Sequence, residues 1–554
     1  METPRRVVSK IDEVIKFPSF RDYMDKCLYD LEFGYYSTGK VRFGEDEHFW
    51  TYPQWISPLF GFMIAEASRK VFEAILSNID IPEEEVLTIL ELGGGDGHLA
   101  KDTLDYIFRQ ESTPEWKHIV PRIRYIIGDI SPTLRNRQIE KLRNYIKHKI
   151  VEIRDINALE IGKWDGSFYG MVIANEITTA FPCERIRLVN VSQANRVHVA
   201  PIYCKNLDTN NVIAPKDEKY SKVFSGDLDD SEHILDEISF WALIAGWKGN
   251  KNPPLRIAEV EVPLSLGWIN DNKDIDKVPE ELTSYLKQIK DLVDDLASCN
   301  LLPVDLHWSS MIHEFIKQVK TLISGKKRCG AIFIVDYGGT SRHILDPRSI
   351  GPHMRVYGLE KERAHHNTPY IKPSWYDITW DADFTYLGRL AKTNGLNVVF
   401  YGHQSALEKL QGDLCSMESI DYLINRLVEE GIKDKFRLKA SFEAYRRVRS
   451  FRGAPGFRLM VICSPNLALS FNYLGESEPY DKEGLWTICK DFNPSRLENA
   501  IKQSNIPKEA LYCLKPCGDP IADLSDNHLY EYRKDILRLL KKFGNLVPPG
   551  SKWL

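Results

Sequence analysis

The stretch Ile89-Leu90-Glu91-Leu92-Gly93-Gly94-Gly95-Asp96-Gly97-His98-Leu99 decides the fold. It continues a short apolar run over residues 86–90, the length of a buried strand, and ends it in a glycine cluster. Beyond the cluster, Ala100, Thr103, Leu104, Ile107 and Phe108 recur at helical spacing. Glycines at a strand-to-helix turn let the backbone fold tightly and approach a ligand closer than any Cβ permits. Gly93, Gly95 and Gly97 follow G-x-G-x-G, whereas a dinucleotide fingerprint is G-x-G-x-x-G. A pyrophosphate favours a bare helix N-terminus, but Asp96 sits inside this turn and Glu91 precedes it. Two acids there suit a cationic ligand, such as an amino acid carrying an ammonium and a sulfonium.

Outward from the turn the β-α alternation continues. Residues 124–127 read as a second strand, 132–146 as a helix with basic outer positions, and 171–174 as another strand. Strands separated by helix-length segments need crossovers, which predicts a parallel sheet. Upstream, residues 17–75 read as helical around an aromatic loop, with Phe60, Met63, Ile64, Ala67, Val71 and Ile75 on one face. Downstream, residues 185–204 alternate with period two, which predicts a hairpin, 205–230 are polar, and 279–324 read as helical. The rhythm resumes at the apolar run 331–335, followed by Asp336-Tyr337-Gly338-Gly339, and residues 397–401 and 457–463 supply the last strands.

The expected fold class is therefore α/β. It comprises a Rossmann-like sheet over 81–185 plus 328–463, an N-terminal helical region over 1–80, an α+β insertion over 186–327, and a C-terminal extension over 464–554.

Composition excludes several classes. The 554 residues are 43% apolar and 27% charged, as in ordinary globular proteins, and a net charge of −5 gives no global pull toward nucleic acid or membrane. Mean hydropathy is −0.33, and no run approaches the roughly 18 apolar residues of a membrane helix. Ten cysteines are scattered without a CxxC; the close pair is Cys513/Cys517, so reduced thiols in a cytosolic or matrix compartment are expected rather than zinc. Arg5, Arg6 and Lys10 are mixed with Glu2, Asp12 and Glu13 and no apolar core, which fits neither a secretory signal nor a good mitochondrial presequence. Gly402-His403-Gln404-Ser405 is not a nucleophile elbow, and there is no HExxH.

Three further acidic positions fall in register with the strands. Asp129 closes the second strand, where it can accept both hydroxyls of a ribose, and it lies further from the glycines than the roughly 20 residues expected for NAD. Asp155 falls where a third strand would end, within reach of an adenine amino group. Asn175-Glu176 directly follows the strand at 171–174, an edge that in such a fold faces the sulfonium of a bound ligand, and a carboxylate there can orient a guanidinium. Each acid alone reads as a solvated turn acid; together they follow the sheet. The basic, aromatic-interleaved stretch 433–452 could stack and hold RNA, although an amphipathic helix with a solvated basic face is the commoner explanation.

These residues resemble the MidA-like methyltransferases, in blocks spread over about 20–463. Residues 30–36 resemble the family's block ending Gly-Tyr-Tyr, and 49–61 its F-I-T-S-P-E-I-S-Q-x-F-G. Residues 91–102 resemble E-x-G-x-G-x-G-x-L-x-x-D, 125–138 resemble Y-x-I-V-E-x-S-P-x-L-R-x-x-Q, and 173–182 resemble I-A-N-E-x-x-D-A-x-P. Later come the D-Y-G strand at 335–338, D-L-T-x-x-V-D-F at 377–384 and Q-x-x-F-L-x-x-x-G at 404–412.

The resemblance implies methyl transfer from S-adenosyl-L-methionine. The cofactor would be bound by Glu91, Gly93, Gly95, Gly97, Asp129 and Asp155, with Asn175 and Glu176 catalytic and Asp383 on the substrate. It also implies a protein-arginine acceptor, as in the mitochondrial branch that assists assembly of respiratory complex I, and hence a protein partner and the mitochondrial matrix. Thr179 stands in place of the family's aspartate, and Gln54 or Trp55 in place of a glutamate, with an extra residue in that loop. Both lost acids favour the alternative of a weakly active or inactive assembly scaffold in mitochondria; an RNA methyltransferase is the other alternative.

Overall fold

The computed structural model describes residues 5–7, 17–42, 52–55, 58–204, 232–248, 255–265, 279–298, 301–345, 353–358, 369–370, 372–404, 458–470 and single positions between 406 and 481. The basic stretch 433–452 and nearly all of the C-terminal extension lie outside the described residues.

A first short strand, β1 (Arg5–Val7), precedes β2 (Leu87–Leu92), β3 (Ile123–Gly128), β4 (Val151–Arg154) and β5 (Phe168–Asn175). A second sheet follows with β6 (Glu184–Asn190), β7 (Gln193–Cys204), β8 (Glu232–Ile234), β9 (Leu255–Ser265) and β10 (Val304–Trp308). The chain returns through β11 (Ser324–Gly325) and β12 (Arg328–Asp336). Two small ladders then form from β13 (Gly338–Gly339), β14 (Met354–Tyr357), β15 (Asp377–Trp380) and β16 (Ala382–Asp383), before β17 (Asn397–His403) and β18 (Arg458–Cys463). The helices of the first half are α1 (Phe20–Tyr29), α2 (Tyr52–Trp55), α3 (Leu59–Asn78), α4 (His98–Arg109), α5 (Pro132–Lys141) and α6 (Arg143–Lys147). Those of the second are α7 (Glu237–Gly246), α8 (Glu280–Gln288), α9 (Lys290–Ser298), α10 (Ser310–Ile323), α11 (Ser341–Leu345) and α12 (Phe384–Thr393).

The main sheet runs β17-β18-β12-β5-β2-β3-β4. Its five strands β12, β5, β2, β3 and β4 are parallel, and β18 is antiparallel to both neighbours. This is the expected Rossmann-like sheet. Successive side chains of a strand point to opposite faces, so Leu90 and Leu92 enter one core with Ile126, Val172 and Ile334, while Ile89 enters another with Ile127, Ile173 and Phe333. Full burial of such a side chain stabilises by about 1.5–3 kcal/mol. Helices α3 and α4 cover the second face; α10, α12 and the second sheet cover the first. From β2 the chain winds through β3 to β4 and then returns to the other side of β2 through β5. Ligands of open α/β sheets bind at such a reversal, outside the strand carboxyl ends.

Several local expectations are corrected. The helix expected over 132–146 breaks at Leu142 into α5 and α6. The helical region 279–324 contains β10, which pairs with β6. The N-terminal 80 residues include β1, which joins the second sheet beside β9. The hairpin at 185–204 is present as β6 and β7, but its polar face is covered too. Arg185 pairs with Glu259 and, at 3.5 Å, with Asp305, and Arg187 meets Asp305 at 3.0 Å. Opposite Arg185, the His307 ring is pushed down to about 3 by burial and the arginine charge. Buried ions must be matched in this way, because an unpaired one costs several kcal/mol.

Candidate active site

The glycine turn leaves β2 where the sheet order reverses. Gly93, Gly95 and Gly97 have φ of 61°, 53° and 83°, a region costly for residues with a Cβ. Gly93 N–H donates to Gly128 O of β3 at 2.8 Å, and Gly97, the residue before α4, donates to Gly94 O at 2.8 Å. A Cβ on Gly93 would collide with Ile177, the residue after Glu176. The turn and the end of β5 are thus fitted together at one place.

Asp129 follows β3 and is 4% exposed. Its carboxylate accepts from Ser131 N–H at 2.9 Å and Gln138 Nε2 at 2.8 Å, which leaves it acceptor capacity. Gln138 Nε2 also donates to Gly95 O at 2.9 Å, so one side chain ties the glycine turn to Asp129. Glu91 is buried and accepts from Tyr125 Oη at 2.7 Å. Burial pushes Glu91 up to about 7 and Asp129 to about 6. Two carboxylates strained toward protonation are what a cationic ligand would relieve.

Asp155, just past β4, is 70% exposed at its side chain and meets Arg135 at 3.1 Å. Asp96 departs from the expected picture. Burial raises its carboxyl, but His98 at 2.6 Å and Lys141 at 2.7 Å outweigh that and hold it well below the usual range. Its charge is answered inside the protein, so the cation preference of the site rests on Glu91 and Asp129. Gln54 of α2 lies 3.5 Å from His98, against the same cluster.

Glu176 follows β5 with φ 56°. A non-glycine residue persists there only when its surroundings hold it. Its N–H donates to Val335 O at 2.8 Å; its carboxylate accepts from Asn175 Nδ2 at 3.1 Å and from Tyr337 Oη at 3.0 Å. The Asn175 Oδ1 atom is buried without a hydrogen-bond partner. Thr179, where the resembled family has an acid, instead serves Asp336. That carboxylate accepts from Thr178 N–H (2.8 Å), Thr179 N–H (3.1 Å), Thr179 Oγ1 (2.6 Å) and Tyr337 N–H (2.9 Å). Burial still pushes Asp336 up to about 6.

Asp383 is buried in the core. It caps α12 by accepting from Tyr386 N–H at 3.0 Å, and it also accepts from Tyr285 Oη at 2.8 Å and Ser341 Oγ at 2.6 Å. Its oxygens hold elements together from within the core, which suits a structural acid better than a substrate ligand. The sequence did not single out Lys141, Arg355 or Asp381; Gln138 carried a signal as the last residue of the 125–138 block, and Tyr337 as the residue after a strand-end acid.

The N-terminal Gly-Tyr-Tyr block closes the Asp129 end. Ser131 Oγ donates to Tyr36 O at 2.8 Å, Arg137 donates to Val41 O at 3.0 Å, and Tyr36 Oη donates to Asp377 at 3.0 Å. Asp377 is pushed up to about 6 by burial, and Tyr36 stacks on Tyr29 at 5.7 Å.

An adenosyl amino acid fits these residues: three glycines at positive φ, of which Gly93 has no room for a Cβ, a strand-end carboxylate with acceptor capacity, and an orphaned Asn175 oxygen. Residues 68–402 match a family model described as "Putative S-adenosyl-L-methionine-dependent methyltransferase". No curated protein matches the chain. Among solved structures it is similar to a Burkholderia thailandensis protein crystallised with S-adenosyl-homocysteine, at 17% identity and TM-score 0.53, over 84% of this chain and 92% of that one. An uncharacterised protein from the same organism is similar at 16% identity and TM-score 0.50, over 84% and 91%. At these identities the likeness shows the fold.

Proposed function

The chain belongs to this S-adenosyl-L-methionine-dependent methyltransferase family, and from that premise we propose that it methylates an arginine of a protein partner. S-adenosyl-L-methionine is the cofactor. We assign its methionyl part to the turn at Gly93, Gly95 and Gly97, its ribose to Asp129 and its adenine edge to Asp155, with Glu91 answering its positive charge. Bound there, it supplies an electrophilic methyl on sulfur.

The observation that carries the acceptor is Glu176, held in the left-handed region beside the glycine turn with its carboxylate fixed by Asn175 and Tyr337. A fixed carboxylate pairs with a guanidinium through charge-assisted hydrogen bonds. It orients the nitrogen and takes the proton that nitrogen must lose once alkylated. Anionic RNA would meet repulsion at the same carboxylate. The partner is proposed to be an assembly intermediate of a mitochondrial complex, which places the protein in the matrix.

The test is methyl transfer from labelled S-adenosyl-L-methionine into a native-compartment extract, read by mass spectrometry. A methylarginine is expected that disappears on gene deletion and returns with wild type but not with Gly95→Val. A methyl group lost from ribosomal RNA on deletion would refute the arginine acceptor. Equal rescue of partner assembly by wild type and Gly95→Val would make the protein a scaffold. Protease-protected fractionation tests the matrix, and a purely cytosolic pool would overturn it.

A further inference from the structure

We infer that Arg355 is a positioning residue for this site: held by Asp381, its guanidinium lies on the Tyr337 ring and sets the phenol that fixes the Glu176 carboxylate. This rests on Glu176 facing the acceptor, and it adds a second layer behind it. Arg355 Cζ is 5.0 Å from the Tyr337 ring centroid, and Arg355 Nη2 donates to Asp381 Oδ1 at 2.5 Å. The other Asp381 oxygen lies 2.8 Å from His353 Nδ1. Arg355 and Asp381 are 1% and 2% exposed.

The Tyr337 backbone is pinned to the same group. Ala382 N–H donates to Tyr337 O at 3.0 Å, and Asp381 N–H donates to His353 O at 2.9 Å. A cation on a ring face draws on its electron density. On a phenol this makes the O–H a better donor, and low local dielectric strengthens its bond to a carboxylate. The ion pair therefore does more than fill the core beneath β14 and β15.

Charged and titratable groups on the surrounding elements are Asp336 and Tyr337 at the end of β12, His353 and Arg355 at β14, and Asp377 and Asp381 flanking β15. Within the glycine turn stands Asp96, with His98 and Lys141 against it.

The test uses the full chain with S-adenosyl-L-homocysteine added and its glutamate carboxyls labelled with carbon-13. Glu176→Gln identifies the Glu176 signal, and the readout is its titration midpoint. Tyr337→Phe keeps the ring and removes the donor, so the midpoint should rise, by about tenfold in proton affinity for one hydrogen bond to a charge. Arg355→Met with Asp381→Asn replaces the buried pair without leaving a lone charge. It should raise the midpoint by a smaller factor, and by nothing further when added to Tyr337→Phe. An equal shift with and without the Tyr337 hydroxyl overturns the inference, as does no shift at all.

Should that pair fail to fold, Arg355→Lys keeps the charge for Asp381 but lacks the planar group. It is expected to raise the midpoint, and an unchanged one overturns the inference. Methylarginine formation in the native-compartment extract is scored separately. Its absence with wild type refutes the arginine acceptor, while the titration still decides the role of Arg355.

Discussion

Gly93→Ala isolates the fit between the glycine turn and the end of β5. Gly93 has φ 61°, and an alanine there costs about 1–2 kcal/mol from Cβ crowding alone. The new Cβ would also stand closer than 3.0 Å to Ile177 Cδ1. Pushing Ile177 off its rotamer adds about 0.5–1.5 kcal/mol. The expected loss is therefore roughly 1.5–3.5 kcal/mol by chemical denaturation. Cofactor affinity measured by calorimetry should fall with it, because the turn itself must move. Ile177→Val deletes the colliding methyl and costs about 0.5–1.5 kcal/mol in a wild-type background. In the Gly93→Ala background it should instead recover the clash, so the double variant is more stable than the sum of the single losses. A Gly93→Ala protein within about 0.5 kcal/mol of wild type, or strictly additive losses, would refute the fitted turn.

Asp129→Asn should weaken S-adenosyl-L-methionine binding by about tenfold or more, the worth of hydrogen bonds to a charged acceptor; unchanged calorimetric affinity would remove Asp129 from the ribose. Glu91, Asp129, Asp336 and Asp377 all have folded values raised to about 6 or 7. The folded state thus keeps protons that the unfolded chain releases above about pH 4. Ligand-free stability should rise as pH falls from 8 toward about 6.5, the point below which His307, kept neutral by the fold, begins to oppose it, and a thermal midpoint that falls over that window would contradict it. Asp383→Ala should lower stability by about 1–3 kcal/mol, through the lost cap and the stranded buried hydroxyls of Tyr285 and Ser341, with cofactor affinity retained. Thr179→Val removes one donor to Asp336 and should destabilise by about 1 kcal/mol, most strongly above pH 6, where Asp336 is charged.

What the sequence made legible was whatever is local to a strand and the turn that follows it. The apolar run into Gly93, the acid after β3 and the Asn175-Glu176 pair after β5 each combine a short buried segment with its own exit, so their places in the sheet follow from order alone. Partners from distant segments were hidden. Nothing near Asp96 predicts that Lys141 neutralises it, and nothing near Thr179 predicts that Asp336 accepts its hydroxyl 157 positions later. The second sheet misled for a related reason. Alternation at Arg185 and Arg187 looks like a solvated face, but the matching acids arrive from β9 and β10 and allow both faces to be covered. The contacts that Asp383 makes with Tyr285 and Ser341 were hidden in the same way.

The place of β18 has a consequence for synthesis. It lies between β12 and β17, inside the sheet, although it is made after both. Until residue 463 leaves the ribosome, the apolar rim of β12 has no neighbour on that side, and β17 has nothing to join. Exposed strand rims of this kind template wrong pairings. A nascent chain halted anywhere from 404 to 457 would carry a finished glycine turn on an unfinished sheet. Such fragments should be the ones that chaperones hold and proteases clear, and a premature stop there should leave no soluble product even though every proposed cofactor-binding residue has been translated.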